Sequence, residues 1–319
     1  MHRAVMVMIV SAFAFCGVAP GGILPFAPMV KPAMAAERPG LLARPASLAK
    51  TRLAQTGLSA GQSRPMIGFD TCQAPSLRTM RVWRAKFLVA GIYIGGESRA
   101  CGYGNLSRSW VRSVKAMGWS LLPNYVGPQP PCDSFPGRIN PTKAAVQGRS
   151  AATWAIANAK TLGIGQGSPV YYDMEAYNNT KGGCVTAVLV FLDAWTRQLN
   201  AKGYVSGVYS SEDAAIVDLQ TTSRINGHTL AKPQCVWIAL WDHRKNMTGA
   251  IYAARSAWPS GDRSKQYAGP HWVKVGGIKL KVDADLVDGP VVRERPAHPD
   301  RHELHELHER HKRHKGRAR

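Results

Sequence analysis

Between Pro65 and Gly289 short apolar runs alternate with longer amphipathic ones, and this alternation limits the fold more than any other feature. Parallel strands need a crossover long enough to hold a helix, so the pattern implies βαβ units. Eight strand candidates are legible: Met66–Asp70, Leu88–Ile94, Trp119–Tyr125, a run opening at Pro169, Tyr204–Ser210, Cys235–Trp241, Ser264–Tyr267 and Ile278–Asp285. Ser76 and Ser107 are candidate N-caps for helices reaching Lys86 and Met117. Further helical patterns run Thr142–Leu162 and Cys184–Lys202, each stopped by glycine (Gly163 and Gly203). Eight strands in roughly 225 residues suit a (β/α)8 barrel. The expected fold class is therefore α/β, a TIM-like (β/α)8 barrel. It should be irregular, because helices look short or missing, notably between Trp241 and Ser264. A doubly wound open sheet is the alternative. It would normally leave a Gly-rich phosphate loop after the first strand, and Asp70-Thr71-Cys72-Gln73 is not one.

The run Pro169-Val170-Tyr171-Tyr172-Asp173-Met174-Glu175 places Tyr171, Asp173 and Glu175 on one face, with Tyr172 and Met174 on the other. Two carboxylates a pleat apart repel each other and split their proton affinities, which general acid catalysis by a carboxyl group requires. Merely solvated loop acids would be the plainer explanation. Other strands, however, also end in polar or aromatic residues: Asp70, Tyr93, Asn124 with Tyr125, Tyr209, Trp241 with Asp242, Gln266 with Tyr267, and Asp283 with Asp285. In a parallel barrel such ends converge on one face, where catalytic groups gather. Packing alone does not explain so many of them, since charged side chains are seldom buried without a partner.

The residue types narrow the chemistry. No strand ends in a His pair, which argues against a metal hydrolase, and no Gly-x-Ser-x-Gly elbow is present. Carboxylates ringed by Tyr and Trp suit sugars: aromatic rings cover the apolar faces of a pyranose while an acid protonates the glycosidic oxygen. Trp237, Ala239 and Trp241 share a face, with Trp241 the candidate subsite wall and Trp237 assigned to core packing. No cofactor is expected.

The N-terminus reads as an export signal over 1–36. Met1-His2-Arg3 precedes the apolar run Ala4–Val18, and Ala33-Met34-Ala35-Ala36 offers a cleavage site. No twin-Arg pair is present, which favours the general secretory route. No later run is long enough to span a bilayer. Residues 37–64 read as a linker. The tail 291–319 reads as disordered, basic and His-rich, with His302, His305, His308, His311 and His314 at every third position. That spacing would allow a weak metal site, but adhesion to anionic polymers is preferred. Five cysteines follow the signal, so an even subset should pair outside the cell, with a pairing that composition leaves open. The net charge of +21 is spread along the chain and suits a polyanionic envelope better than nucleic acid, for which no motif appears.

Gly68-Phe69-Asp70, Tyr93-Ile94-Gly95-Gly96, Pro123-Asn124-Tyr125-Val126-Gly127, Asp173-x-Glu175, Tyr209-Ser210-Ser211, the Trp237–Trp241 strand, Gln266-Tyr267 and Val282-Asp283-Ala284-Asp285 recur in an order that resembles a known family. It is the glycoside-hydrolase-like domain of actinobacterial secreted proteins (domain-of-unknown-function family 1906), itself similar to the family 25 lysozymes. The resemblance covers about 65–290. It implies Glu175 as general acid, Asp173 as the partner that tunes it or steadies substrate, Asp70 on the floor, and Asp283 or Asp285 on the opposite wall. Tyr93, Asn124, Tyr125, Tyr209, Trp241 and Gln266 would line the substrate. One departure is Met174, where the lysozymes carry a tryptophan-type residue between the acids.

In the same barrel frame Cys72 and Cys101 lie in loops at the strand C-termini, where they could meet. Cys132 and Cys184 could meet there too. Cys235 opens its strand at the other end and is the expected free thiol. The expected function is a secreted, extracellular or wall-associated glycoside hydrolase acting on cell-wall polysaccharide or peptidoglycan, as a monomer. The alternative is a catalytically inactive barrel that binds wall glycans.

Overall fold

The computed structural model describes residues 65–247 and 257–293. The signal, the linker and the His-rich part of the tail lie outside these residues. Eight strands close a barrel in chain order: β1 (Met66–Asp70), β2 (Val89–Gly95), β3 (Ser120–Tyr125), β4 (Pro169–Asp173), β5 (Val205–Ser211), β6 (Cys235–Ala239), β7 (Arg263–Val275) and β8 (Ile278–Val287). Helices α1 (Leu77–Trp83), α2 (Arg108–Ala116), α3 (Ala144–Thr161), α4 (Gly182–Ala201) and the short α5 (Val217–Thr221) follow the first five strands. Ser76 and Ser107 cap α1 and α2 as expected, their hydroxyls accepting from the backbone N–H of Thr79 and Trp110.

Two features depart from the parallel pattern. Strand β8 is antiparallel to both neighbours, β7 and β1, whereas β1 to β7 pair in parallel. The cause is a tight turn at Gly276-Gly277, both at positive φ, where a crossover helix would otherwise stand. Strand β7 is also much longer than the Ser264–Tyr267 expected, because Gly269-Pro270 reads as a strand end. Here the pair forms a bulge opposite Asp283: Ala268 pairs with Ala284 and His271 with Val282, leaving two residues facing one. A bulge tolerates a proline that lacks the ladder N–H. Between β6 and β7, residues 240–247 and 257–262 contain no helix. An irregular turn at Glu212–Ile216 carried no clear sequence signal, whereas the small hairpin, Arg224–Ile225 with His228–Thr229, turns on Asn226-Gly227, a local hairpin signal with both residues at positive φ.

Strand alternation builds two cores. Phe69, Tyr172 and Met174 face outward into the layer between barrel and helices, where Tyr172 packs against Phe191 and Trp195. Val89, Leu122, Tyr171, Tyr209, Trp237 and Val287 fill the barrel interior. Gly91 makes room there: a Cβ at this position would lie 2.4 Å from that of Asp70 and 3.0 Å from the Trp237 indole.

The cysteines pair as Cys72–Cys101 and Cys132–Cys184, with Cα separations of 5.9 and 5.8 Å, and Cys235 is free and buried. The first bridge ties the loops after β1 and β2, and the second ties the loop after β3 to the first turn of α4. By loop-closure entropy each stabilises by about 4 kcal/mol. No helix of the described residues is long and apolar enough to cross a membrane.

Candidate active site

Asp70 ends β1 on its interior face and is fully buried. Its Oδ1 accepts from the Tyr93 hydroxyl and its Oδ2 from the Gln266 Nε2, each at 2.9 Å. Gln266 cannot turn its amide round, because its Oε1 accepts from the Tyr209 hydroxyl at 2.9 Å and from the Trp241 indole N–H at 2.8 Å. Residues from β1, β2, β5, the loop after β6 and β7 thus converge on one carboxylate. Burial raises the Asp70 pKa, while hydrogen bonds from Gln266 and Tyr93 and with Asp285 and Asp283 pull it back.

The reversed β8 brings its two acids to the same place from mid-strand. Asp283 pairs with Asp70 across the ladder, and Asp285 sits one pleat below it, accepting from the Trp237 indole N–H at 3.1 Å. Trp237 therefore does more than pack, which the sequence did not indicate. Asp283 is pushed up to about 9 by burial and then by the charge of Asp70, and Asp285 is raised well above the carboxylate range for the same two reasons. Asp70 thus bears on both acids as a neighbouring charge.

On the other side Asp173 ends β4, buried, with Oδ2 accepting from Asn124 Nδ2 at 2.9 Å. Its Oδ1 and the Asn124 Oδ1 have no hydrogen-bond partner among the described residues. Burial, then Glu175 and Asp70, raise Asp173 well above its usual range. Glu175 stands two residues past the strand, only 8% exposed, and is pushed up to about 7 by burial and then by Asp133 and Asp70. Mutual repulsion of Asp173 and Glu175 was expected to split their affinities. Burial is instead the larger cause, and it raises both.

Gln129 had no signal in the sequence, yet it holds this segment in place. It is fully buried in the loop after β3, donates to the Asp173 carbonyl at 2.8 Å and accepts from the Glu175 N–H at 2.9 Å. The segment is pinned further along by the Tyr177 hydroxyl, which donates to Asp218 at 2.6 Å. Asp133, whose charge bears on Glu175, was likewise unmarked. Of the residues expected at the site, Tyr125 alone is turned away: it faces outward on β3 and packs between Tyr172 and Trp195. Trp241 is 39% exposed and forms the rim. Among the described residues no group of three or more His, Cys, Asp or Glu is arranged to hold a metal ion.

The five raised carboxyls give a sign to the pH dependence of stability. Each has a folded pKa above its unfolded value, so its contribution is fully present below about pH 4. It is lost as pH rises through the folded value, which for Glu175 is about 7 and for Asp283 about 9. The thermal midpoint should fall between pH 5 and pH 9, and Asp283→Asn should flatten that fall. A midpoint rising across the interval would contradict the shifts.

Comparison with the curated proteins finds no match. Among solved structures, the chain is similar to an uncharacterized B. stearothermophilus protein at 19% identity and TM-score 0.47, over 70% of this chain and 96% of that one. It is also similar to the spore cortex lytic enzyme SleM of Clostridium perfringens (12% identity, TM-score 0.47, 70% of this chain and 67% of that one). The modular autolysin LytC of Streptococcus pneumoniae is similar at 13% identity and TM-score 0.45, over 70% of this chain and 46% of that one. A family profile described as "Rv2525c-like, glycoside hydrolase-like domain" matches residues 81–287, which hold every strand of the barrel except β1. The chain belongs to that glycoside-hydrolase-like family.

Proposed function

We propose that this protein hydrolyses a glycosidic bond in cell-wall polysaccharide or peptidoglycan, with Glu175 as the proton donor. One observation carries the reading: Glu175, held among other acids by Gln129, has its pKa pushed up to about 7 by burial. A carboxyl group of that affinity keeps its proton near neutral pH and can deliver it to a leaving glycosidic oxygen. Asp70 is the complementary group. Two donors aimed at its two oxygens partly offset the burial that raises its pKa, and its charged form would stabilise positive charge developing at the sugar ring. Asp173, held by Asn124 and lacking a partner at its buried Oδ1, is the group that would steady the substrate. Trp241 at the rim offers a ring face to a pyranose. The family assignment, the basic surface and two disulfides suited to an oxidising compartment support a wall substrate outside the cell.

A specific observation favours a second reading. Asp70 and Asp285 are fully buried and Asp173 nearly so, a depth that suits a barrel which binds glycans at its rim without cleaving them. Purified cell walls and chitin-type oligomers separate the two. Release of reducing ends establishes hydrolysis. Wall binding that is unchanged in Glu175→Gln, without turnover on any glycan, establishes the binder.

A further inference from the structure

Strands β7 and β8 run on past the barrel. Beyond the bulge they continue as a two-stranded arm, from His271 opposite Val282 to Val275 opposite Ile278. Its two faces differ, as alternation requires. Val273, Val275, Ile278 and Leu280 pack on the outer core, and the turn at Gly276 abuts Val82 of α1. The opposite face carries Trp272, Lys274, Lys279 and Lys281, all exposed. Trp272 stands directly across from Lys281, and Lys274 across from Lys279. The four side chains therefore mark out a patch of about 5 by 7 Å between their attachment points.

Among the described residues none of these lysines forms an ion pair, and Lys281 bears on Asp283 by its charge alone. No acidic residue occurs from Gly269 to Val282, and neighbouring α1 contains none either while exposing Arg78 and Arg81. Like charges directly opposite on a sheet destabilise it, so Lys274 facing Lys279 costs the arm stability that folding alone does not require. Trp272 is 62% exposed, and the Lys279 ammonium lies 4.8 Å from its ring centroid. An exposed indole set among amines is a recognition surface rather than a packing element.

We propose that this outer face of the arm binds an anionic polysaccharide, with Trp272 stacking on a sugar ring and the three lysines meeting carboxylate or phosphate groups along the chain. Sugar is favoured over nucleic acid because the patch offers one ring, whereas single strands are held by a series of aromatic platforms. Two disulfides also suit an oxidising compartment. The Lys281 charge acts on Asp283, so a polymer on the arm lies at the edge of the carboxyl ring. The inference concerns binding only and stands whether or not Glu175 cleaves anything.

The test uses the full chain at low salt, with polygalacturonate as the anionic probe, dextran as the neutral one and an oligothymidylate as the nucleic acid. Lys274→Gln/Lys279→Gln/Lys281→Gln is expected to weaken polygalacturonate binding by about tenfold or more and to make its salt dependence shallower. Trp272→Ala should weaken it by about fivefold at every salt concentration. The matching triple Lys→Arg variant should bind like the parent, which separates lost charge from lost fold. Either Gln or Ala variant binding like the parent would overturn the proposal. So would tighter binding of oligothymidylate than of polygalacturonate through the same four residues.

Discussion

Replacing Glu175 by glutamine should reduce the release of reducing ends from purified cell walls by about 10²- to 10⁴-fold, the usual contribution of a positioned general acid. Glutamine matches the shape of the acid and leaves the backbone bond from its own N–H to Gln129 in place, so the loss should appear in turnover with little change in wall binding. The wild-type profile supplies a second signature. The proton on Glu175 is required, so activity should be high on the acid side and fall as pH rises through about 7. The fall should vanish from whatever activity remains in Glu175→Gln. Equal release by the two proteins would remove Glu175 from the chemistry and leave the binder.

The largest effect on stability is expected at Asp242→Ala. Lys265 lies on the outward face of β7 with its side chain 2% exposed, and its ammonium donates to both oxygens of Asp242, at 2.7 and 2.8 Å. Burial pushes the Asp242 carboxyl up, but the Lys265 ammonium and the Arg244 N–H more than offset it, and the net pKa is lowered. The contribution is thus present above about pH 4 and lost as pH falls through the folded value. Removing the carboxylate leaves the buried Lys265 ammonium without its counter-charge, held by the Arg244 carbonyl at 3.2 Å, at a cost of about 3–5 kcal/mol. The double variant Asp242→Ala/Lys265→Met should recover most of that, because an apolar side chain suits the same site. Denaturant midpoints of the three variants decide it, and a loss below about 1 kcal/mol in Asp242→Ala would show the pair to be dispensable. Asp242 also follows Trp241, the residue that helps fix the amide of Gln266. The variant should therefore lose activity beyond what unfolding explains.

Much of this barrel can be read from the sequence because period-two alternation and serine caps are local signals. The strand ends Asp70, Tyr93, Asn124, Asp173, Tyr209 and Gln266 all fall on interior faces at one end of the barrel, as their positions along each strand require. Tyr125 faces outward for the same reason that Asn124 faces in: neighbours on a strand face opposite ways, and only one of the pair can enter the ring. The direction of β8 was not legible. A reversed strand and a parallel one share the same alternation, and only the length of the connection tells them apart. Gly269-Pro270 hid that length by resembling a strand end when it is a bulge. Gln129 was invisible for another reason. Its role rests on backbone groups of a segment 44 residues away, which leave no mark on its own neighbours in the chain. Trp237 looked like core and is core, and its hydrogen bond to Asp285 depends on a cross-barrel approach that no local pattern encodes.

Hydrolysis by this barrel rests on Glu175 holding its proton near neutral pH among the other acids of the ring. Its carboxyl carbon, observed by ¹³C NMR in selectively labelled protein and assigned by its absence in Glu175→Gln, reports this directly. A titration midpoint near 7 is expected. A midpoint near 4.3, that of a glutamate in water, would contradict it and leave the barrel without its proton donor.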